Sequence, residues 1–240
     1  SLFQFVIVLN AQDIEDLPKL REVKGKKLLE EVSPRQHKNG MWGYADNEGK
    51  FIIKPVFADA CAFEGNIARV KVENLWGTIG HNGLFVVTPK YDTIATYSAD
   101  SLAVVQLKGK YGLIDAKGER IQNVGYDFID YADYGYRAKT EGKFGTISNK
   151  GVIILEPGFD SMEVFDRQRG LEHVCVDGKW GVLKDGSDLL TLAFDEKITF
   201  LQTGMTGQPD LYLARQADKV GIVTSYGQFV APCIYDEISM

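Results

Sequence analysis

Clustered positive charge, paired cysteines and long apolar runs are all missing from this 240-residue sequence, and each absence removes a class of function. Its 27 Lys and Arg stand against 33 Asp and Glu, a formal charge of −6. That is the wrong sign for displacing counterions from a phosphate backbone, so nucleic acid is not an expected partner. The three cysteines, Cys61, Cys175 and Cys233, are odd in number and lack CxxC spacing, and only three histidines exist to join them in a metal set. Neither a metal nor any other cofactor is expected. Each cysteine has apolar neighbours, as in Val174-Cys175-Val176, and reads as a small buried hydrophobe. No apolar run approaches the roughly 18 residues of a membrane span. GxSxG, HExxH, P-loop and dinucleotide fingerprints are absent as well.

What is present is the profile of a soluble globular chain, 45% apolar and 25% charged, which excludes disorder and coiled coil. The residues 2–9, LFQFVIVL, read either as the tail of a secretory signal peptide or as a buried strand. The first reading tips the expected compartment slightly toward export rather than cytoplasm. The expected organisation is an N-terminal segment, 1–25, and one β domain, 26–240, with helix confined at most to 14–24.

The dominant feature is a repeat. An aromatic residue followed by glycine occurs at Trp42-Gly43, Trp76-Gly77, Tyr111-Gly112, Phe144-Gly145 and Trp180-Gly181, with Val220-Gly221 in sixth place. The spacings are 34, 35, 33, 36 and 40 residues, and all three tryptophans fall in this slot. A glycine follows at Gly49, Gly83, Gly118, Gly151, Gly186 and Gly227, and then a second aromatic at Phe57, Tyr91, Tyr126, Phe159, Phe194 and Tyr235. An Asp comes directly after five of these, at Asp92, Asp127, Asp160, Asp195 and Asp236.

Each copy has a legible local structure. Residues before the aromatic-Gly pair alternate with period two, as in Ala68, Val70 and Val72, the pattern of a half-buried strand. Asn39-Gly40, Lys108-Gly109, Glu141-Gly142 and Asp177-Gly178 suit the positive φ angles of tight hairpins. The pair then opens the return strand, its glycine leaving room for a close neighbour. A third strand follows, which Pro55, Pro89 and Pro157 are expected to stop. The recurring Asp reads as a turn former whose carboxylate accepts backbone N–H bonds, because a group present in every copy serves architecture better than a single active site.

These residues resemble the bacterial WG repeat, named for its Trp-Gly pair and running through a Gly turn, a Pro and a Tyr-Asp. The resemblance covers 42–240 almost continuously; it implies a repetitive all-β module, often in exported or multidomain proteins, and no defined activity. The last copy looks one strand short and the segment before Trp42 looks like a strand without its copy. The sequence therefore favours an all-β antiparallel array that is a six-bladed β-propeller closed by its N- and C-terminal halves, with an open β-solenoid of hairpins as the alternative.

Function is sought where copies differ. Two loops depart furthest: 166–170, with Arg167 and Arg169 followed by Glu172 and His173, and 201–210, which holds Gln202 and Thr206. Arg167, Arg169, His173, Gln202 and Thr206 are the candidate ligand-binding residues, the arginines suiting an acidic partner. No catalytic residue is assigned. The expected function is a non-catalytic scaffold for a protein, peptide or cell-surface ligand; the alternative is a hydrolase acting on glycans or peptides through converging carboxylates.

Overall fold

The computed structural model describes residues 32–204 and 208–238, so the run LFQFVIVL and the possible helix at 14–24 lie outside the described residues. The described residues form strands and no helix. The chain divides into two compact units, Ser1–Lys108 with Ile114–Arg120, and Gly109–Leu113 with Ile121–Met240.

Unit 1 opens with an antiparallel sheet of β1 (Ser33–Gln36), β2 (Trp42–Ala45) and β3 (Phe51–Phe57). A four-stranded sheet follows, in the order β4 (Asp59–Glu64), β5 (Ile67–Val72), β6 (Leu75–Gly80) and β7 (Phe85–Tyr91). The third sheet holds β8 (Thr93–Ile94), β9 (Leu102–Leu107), β10 (Lys110–Asp115) and β11 (Arg120–Tyr126), and within it the chain passes from one unit to the other.

Unit 2 continues with three four-stranded sheets. They are β12 (Phe128–Ala132) to β15 (Ile153–Phe159), through β13 (Gly135–Thr140) and β14 (Lys143–Ser148); β16 (Ser161–Asp166) to β19 (Asp188–Phe194), through β17 (Leu171–Val176) and β18 (Lys179–Lys184); and β20 (Thr199–Gln202) to β23 (Phe229–Tyr235), through β21 (Leu211–Gln216) and β22 (Lys219–Thr224). The fold is thus an all-β antiparallel repeat array, one sheet per repeat.

The sheets are out of phase with the sequence repeat. Each full sheet starts just after one second aromatic and ends on the next, as β4 to β7 run from Asp59 to Tyr91. Counting from the aromatic-Gly pair cuts every sheet in two, and for that reason the last copy looked incomplete. Among the described residues β20 to β23 form the four-stranded last sheet by themselves, and no sheet joins strands from both ends of the chain, which differs from the expected closure by N- and C-terminal halves. The links between sheets are fastened by backbone bonds from Ala58 N to Lys71 O and from Asp160 N to Cys175 O, both 2.8 Å.

The prolines also differ from expectation. Pro55, Pro89 and Pro157 lie inside β3, β7 and β15 rather than ending them, at shifts of register against β2, β6 and β14. A bulge has no ladder bond to lose, so a residue without an N–H fits there. The glycine of the aromatic-Gly pair makes this possible: a Cβ on Gly43 would stand 2.5 Å from Ile53 O and 2.8 Å from Pro55 N. The hairpin turns follow the sequence closely. Glu141 and Gly142 have φ of 50° and 80°, and Asp177 and Gly178 have 50° and 76°, the paired left-handed residues of a type I′ turn. Asn39-Gly40 instead sits in a longer link between β1 and β2, with Gly40 N bonded to His37 O.

The first aromatic slot is only half-buried, at Trp42, Trp76, Tyr111, Phe144 and Trp180 alike, while Val220 is buried at 3% exposure. In the second slot Phe57, Tyr91, Phe159 and Phe194 are buried, Phe57 lying opposite Trp42 and Phe194 opposite Trp180 at 0% and 1% exposure, while Tyr126 is half-buried and Tyr235 exposed. Lysines cover the outer faces of the first slot, Lys139 Nζ lying 4.7 Å from the Phe144 ring centre and Lys197 Nζ 4.8 Å from that of Trp180. In unit 1 the core gathers Tyr44, Phe57, Val70 and Ile79, and in unit 2 Leu171, Val182, Phe194 and Tyr212.

Candidate functional site

The recurring Asp is absorbed by architecture. Asp92 accepts the N–H of Lys108, Asp160 that of Asp177 and Asp195 that of Ala217, each donor being the first left-handed residue of a hairpin turn. From the third sheet on, a lysine before the aromatic-Gly pair joins in, giving Lys110–Asp127, Lys143–Asp160, Lys179–Asp195 and Lys219–Asp236. Those lysines, with the turn N–H groups, hold the Asp127, Asp160 and Asp195 carboxyls below the usual range.

Buried side-chain atoms without a hydrogen-bond partner occur in both units, at Arg69, Thr78, His81 and Tyr97 and at Glu172 and Tyr212; of these residues, Glu172 lines a cavity of about 300 Å³ in unit 2, bordered by the β12–β13, β16–β17 and β18–β19 turns. Its floor is Glu172, the second residue of β17, where the equivalent strands carry Ala68, Ala103, Tyr136 and Tyr212. Glu172 is 2% exposed. Its Oε2 accepts the Tyr134 hydroxyl at 2.8 Å, whereas Oε1 has no hydrogen-bond partner, the nearest cation being Arg137 Nη1 at 3.8 Å. Burial pushes this carboxyl up, against the pull of Tyr134 and Arg137. Arg137 is engaged elsewhere: its Nε donates to Asp130 Oδ1 at 3.1 Å and its Nη2 to Oδ2. The fork grips the carboxylate from two sides.

The walls are set by backbone shape. Asp185 is held at φ 49°, a conformation most side chains avoid, and its N–H bonds Gly170 O at 2.8 Å. Gly186 lies flat against the Tyr134 ring, and Thr146 Oγ1 fixes that turn through Gly186 O at 2.7 Å. Tyr131, Asp133 and Arg167 stand exposed at the margin. Asp133, Asp185 and Arg167 make no side-chain bond or ion pair among the described residues.

Of the residues singled out in the sequence, Arg167 borders this cavity. Arg169 does not; it is locked between Asp166 and Asp210, so it joins the 166–170 loop to the end of the 201–210 loop. The two loops are therefore neighbours, but the guanidinium that links them is already occupied. His173 is at 7% exposure inside the sheet, bonded to Ile198 O at 3.0 Å and stacked on Phe165, with burial pushing its pKa down. The ring thus packs as part of the sheet, with its Nε2 already engaged. Gln202 ends β20 and is exposed, and Thr206 lies outside the described residues. Sequence reading passed over Tyr134 and Arg137. The signal for the site was Glu172 itself, a carboxylate in an otherwise Ala or Tyr slot.

Among the described residues no group of three or more His, Cys, Asp or Glu is placed to hold a metal, and no helix is long and apolar enough to cross a membrane. The family model described as "WG containing repeat" matches residues 42–76, 76–111 and 144–180. These stretches of the chain are WG repeats. No curated protein matches its sequence. Among solved structures it is similar to Kluyveromyces lactis Hsv2, at 10% identity over 83% of this chain and 75% of that one, with a TM-score of 0.36. It is also similar to the N-terminal domain of Nup159, at 13% identity, 87% and 74% coverage and a TM-score of 0.36. A streptogramin B lyase gives 14% identity, 88% and 81% coverage and 0.31.

Proposed function

We propose that this protein is a binding scaffold without catalytic activity, and that a ligand contacts it in the cavity over Glu172. The observation that carries the reading is Glu172 Oε1, a buried acceptor without a hydrogen-bond partner at the floor of an open cavity. An unmet buried acceptor costs about 1–3 kcal/mol, which a donor on a ligand recovers. The repeat supports the same reading. Its shared residues are consumed by turns and packing, whereas Glu172, Tyr134 and Arg167 serve neither across the copies.

Thermal unfolding with a panel of small amines, carboxylates and neutral saccharides tests this. A binder at about 100 times its Kd stabilises by roughly 2.7 kcal/mol, and the shift should vanish in Glu172→Ala. A panel without any shift, or shifts indifferent to Glu172, would refute the assignment. Hydrolysis of a glycan or peptide remains the second reading. What favours it is a buried Glu172, whose pKa burial pushes up, beside the more exposed Asp133 and Asp185, the unlike carboxyls that acid-base chemistry uses. Turnover lost in both Glu172→Gln and one of the Asp→Asn variants would replace the scaffold with that enzyme.

A further inference from the structure

We infer that the cavity over Glu172 receives an organic cation, a primary ammonium or guanidinium group, bonded to Glu172 Oε1 and flanked by the Tyr131 and Tyr134 rings. This rests on the reading of the cavity as a contact site and adds the ligand's chemistry to it.

Charge sets the sign. Arg137 is cancelled where it stands by its two bonds to Asp130. The groups then left around the cavity are three carboxylates, Glu172, Asp133 and Asp185, against one guanidinium, Arg167. An entering carboxylate or phosphate would meet three acids and one arginine that is itself exposed; an ammonium meets the reverse. Bonding capacity agrees. With its Oε2 already taken by Tyr134, the ionised Glu172 offers only an acceptor at Oε1, so its partner must donate. The aromatic content agrees too: Tyr131 is 56% exposed at the mouth and Tyr134 lines the wall, and ring faces attract cations. The volume, about 300 Å³, admits one Lys or Arg side chain or a short diamine.

The chemistry has two sources, a free amine or a basic side chain of a peptide, and the test separates them. Calorimetric titration of the full chain at neutral pH uses cadaverine, a capped lysine peptide and a capped arginine peptide, with a capped aspartate peptide and glucose as the anionic and neutral arms. At least one cation should bind. Glu172→Gln, close in shape to the original, should raise its Kd roughly tenfold to a hundredfold, the worth of one charged hydrogen bond. Arg167→Ala should lower the Kd, because it removes a like charge; an anion held by Arg167 would weaken instead. Tighter binding of cadaverine identifies a free amine, and tighter binding of a capped peptide identifies a side chain. If the aspartate peptide or glucose binds in a Glu172-dependent way and no cation does, the cation inference falls and the contact site stands. Cation binding unchanged in both variants also overturns it, and silence from every probe overturns both readings.

Discussion

Arg69 in unit 1 and Arg137 in unit 2 occupy the same place, the third residue of β5 and of β13, and their surroundings differ in a way that separates architecture from function. Arg69 is fully employed at its tip: Nη1 donates to Ile94 O at 3.0 Å, and Nη2 to Glu64 Oε1 at 2.7 Å and Thr96 Oγ1 at 3.2 Å. Glu64 is completed by the Tyr97 N–H at 3.3 Å. Arg137 likewise grips a carboxylate from its own sheet, Asp130, but a second carboxylate, Glu172, stands nearby with one oxygen unmet. The next sheet contributes Ala103 at the second position of β9 and Glu172 at that of β17. Both clusters keep unmet buried atoms, Arg69 Nε and the Tyr97 hydroxyl in one and Glu172 Oε1 in the other; what the substitution in the repeated slot adds is a second carboxylate, and with it an unmet acceptor in place of unmet donors.

The largest expected effect concerns packing common to both units. Trp76→Ala and Trp180→Ala should each cost about 3 kcal/mol, the low end for a large ring, since both are half-buried. Urea unfolding should show the greater loss for Trp180, whose ring also carries Lys197 at 4.8 Å and an edge contact with His173, against Lys71 at 5.8 Å for Trp76. A larger loss at Trp76 would break the ranking of the two units. Next come the arginines. Arg137→Ala strands Asp130 and the buried Glu172 together and should cost about 2 kcal/mol, whereas Arg69→Ala leaves Glu64 with Tyr97 and should cost about 1 kcal/mol. Equal losses would mean that Glu172 draws nothing from Arg137.

The repeat and its turns were legible because glycine and paired polar residues are forced there by positive φ, as at Glu141-Gly142 and Asp177-Gly178. The phase of the sheets was not, because a link such as Phe57-Ala58-Asp59 looks in sequence like any turn within a sheet; only the bond from Ala58 N to Lys71 O shows it joining two. Proline misled for a related reason. Pro157 lacks a ladder bond in β15 as expected, but Gly145 lets the strand bulge past it and continue. The site was half legible. Glu172 stands out in its slot, whereas Arg69 and Arg137 are indistinguishable until the turns around them are placed, since Tyr134, Gly170 and Asp185 come from three separate hairpins.

A smaller effect sharpens the contrast between the two arginine clusters through pH. Burial raises the Glu172 pKa in the folded state, so the folded chain holds that proton more tightly than the unfolded chain does. Above the raised value the group therefore opposes folding, and its contribution improves as pH falls from there toward the ordinary carboxylate range near about 4.3. Glu172→Gln should be more stable than the parent at neutral pH by about 1 kcal/mol, and the gap should close on acidification. A gap that widens as pH falls would show that Glu172 is stabilised as an anion by Arg137 and Tyr134.

The smallest effect separates the sheets with a lysine staple from those without. Asp160 binds both the Asp177 N–H and Lys143, while Asp92 binds the Lys108 N–H and has Leu75 where the lysine would be. Both carboxylates fasten the turn of the following repeat, but only Asp160 does so with a cation's help. The staple is exposed, so its cationic half should be screened in about 1 M salt, where the Debye length is roughly 3 Å, and the turn bond should not. Asp160→Asn should then lower the unfolding midpoint more in dilute buffer than in salt, whereas Asp92→Asn should lower it equally in both. The pH response follows from the depressed Asp160 pKa: its contribution is complete above the ordinary carboxylate range and is lost as pH falls through the lower folded-state value. Identical salt profiles for Asp92→Asn and Asp160→Asn would show that the lysine adds nothing to the turn, and that the recurring Asp acts in every sheet through its backbone bond alone.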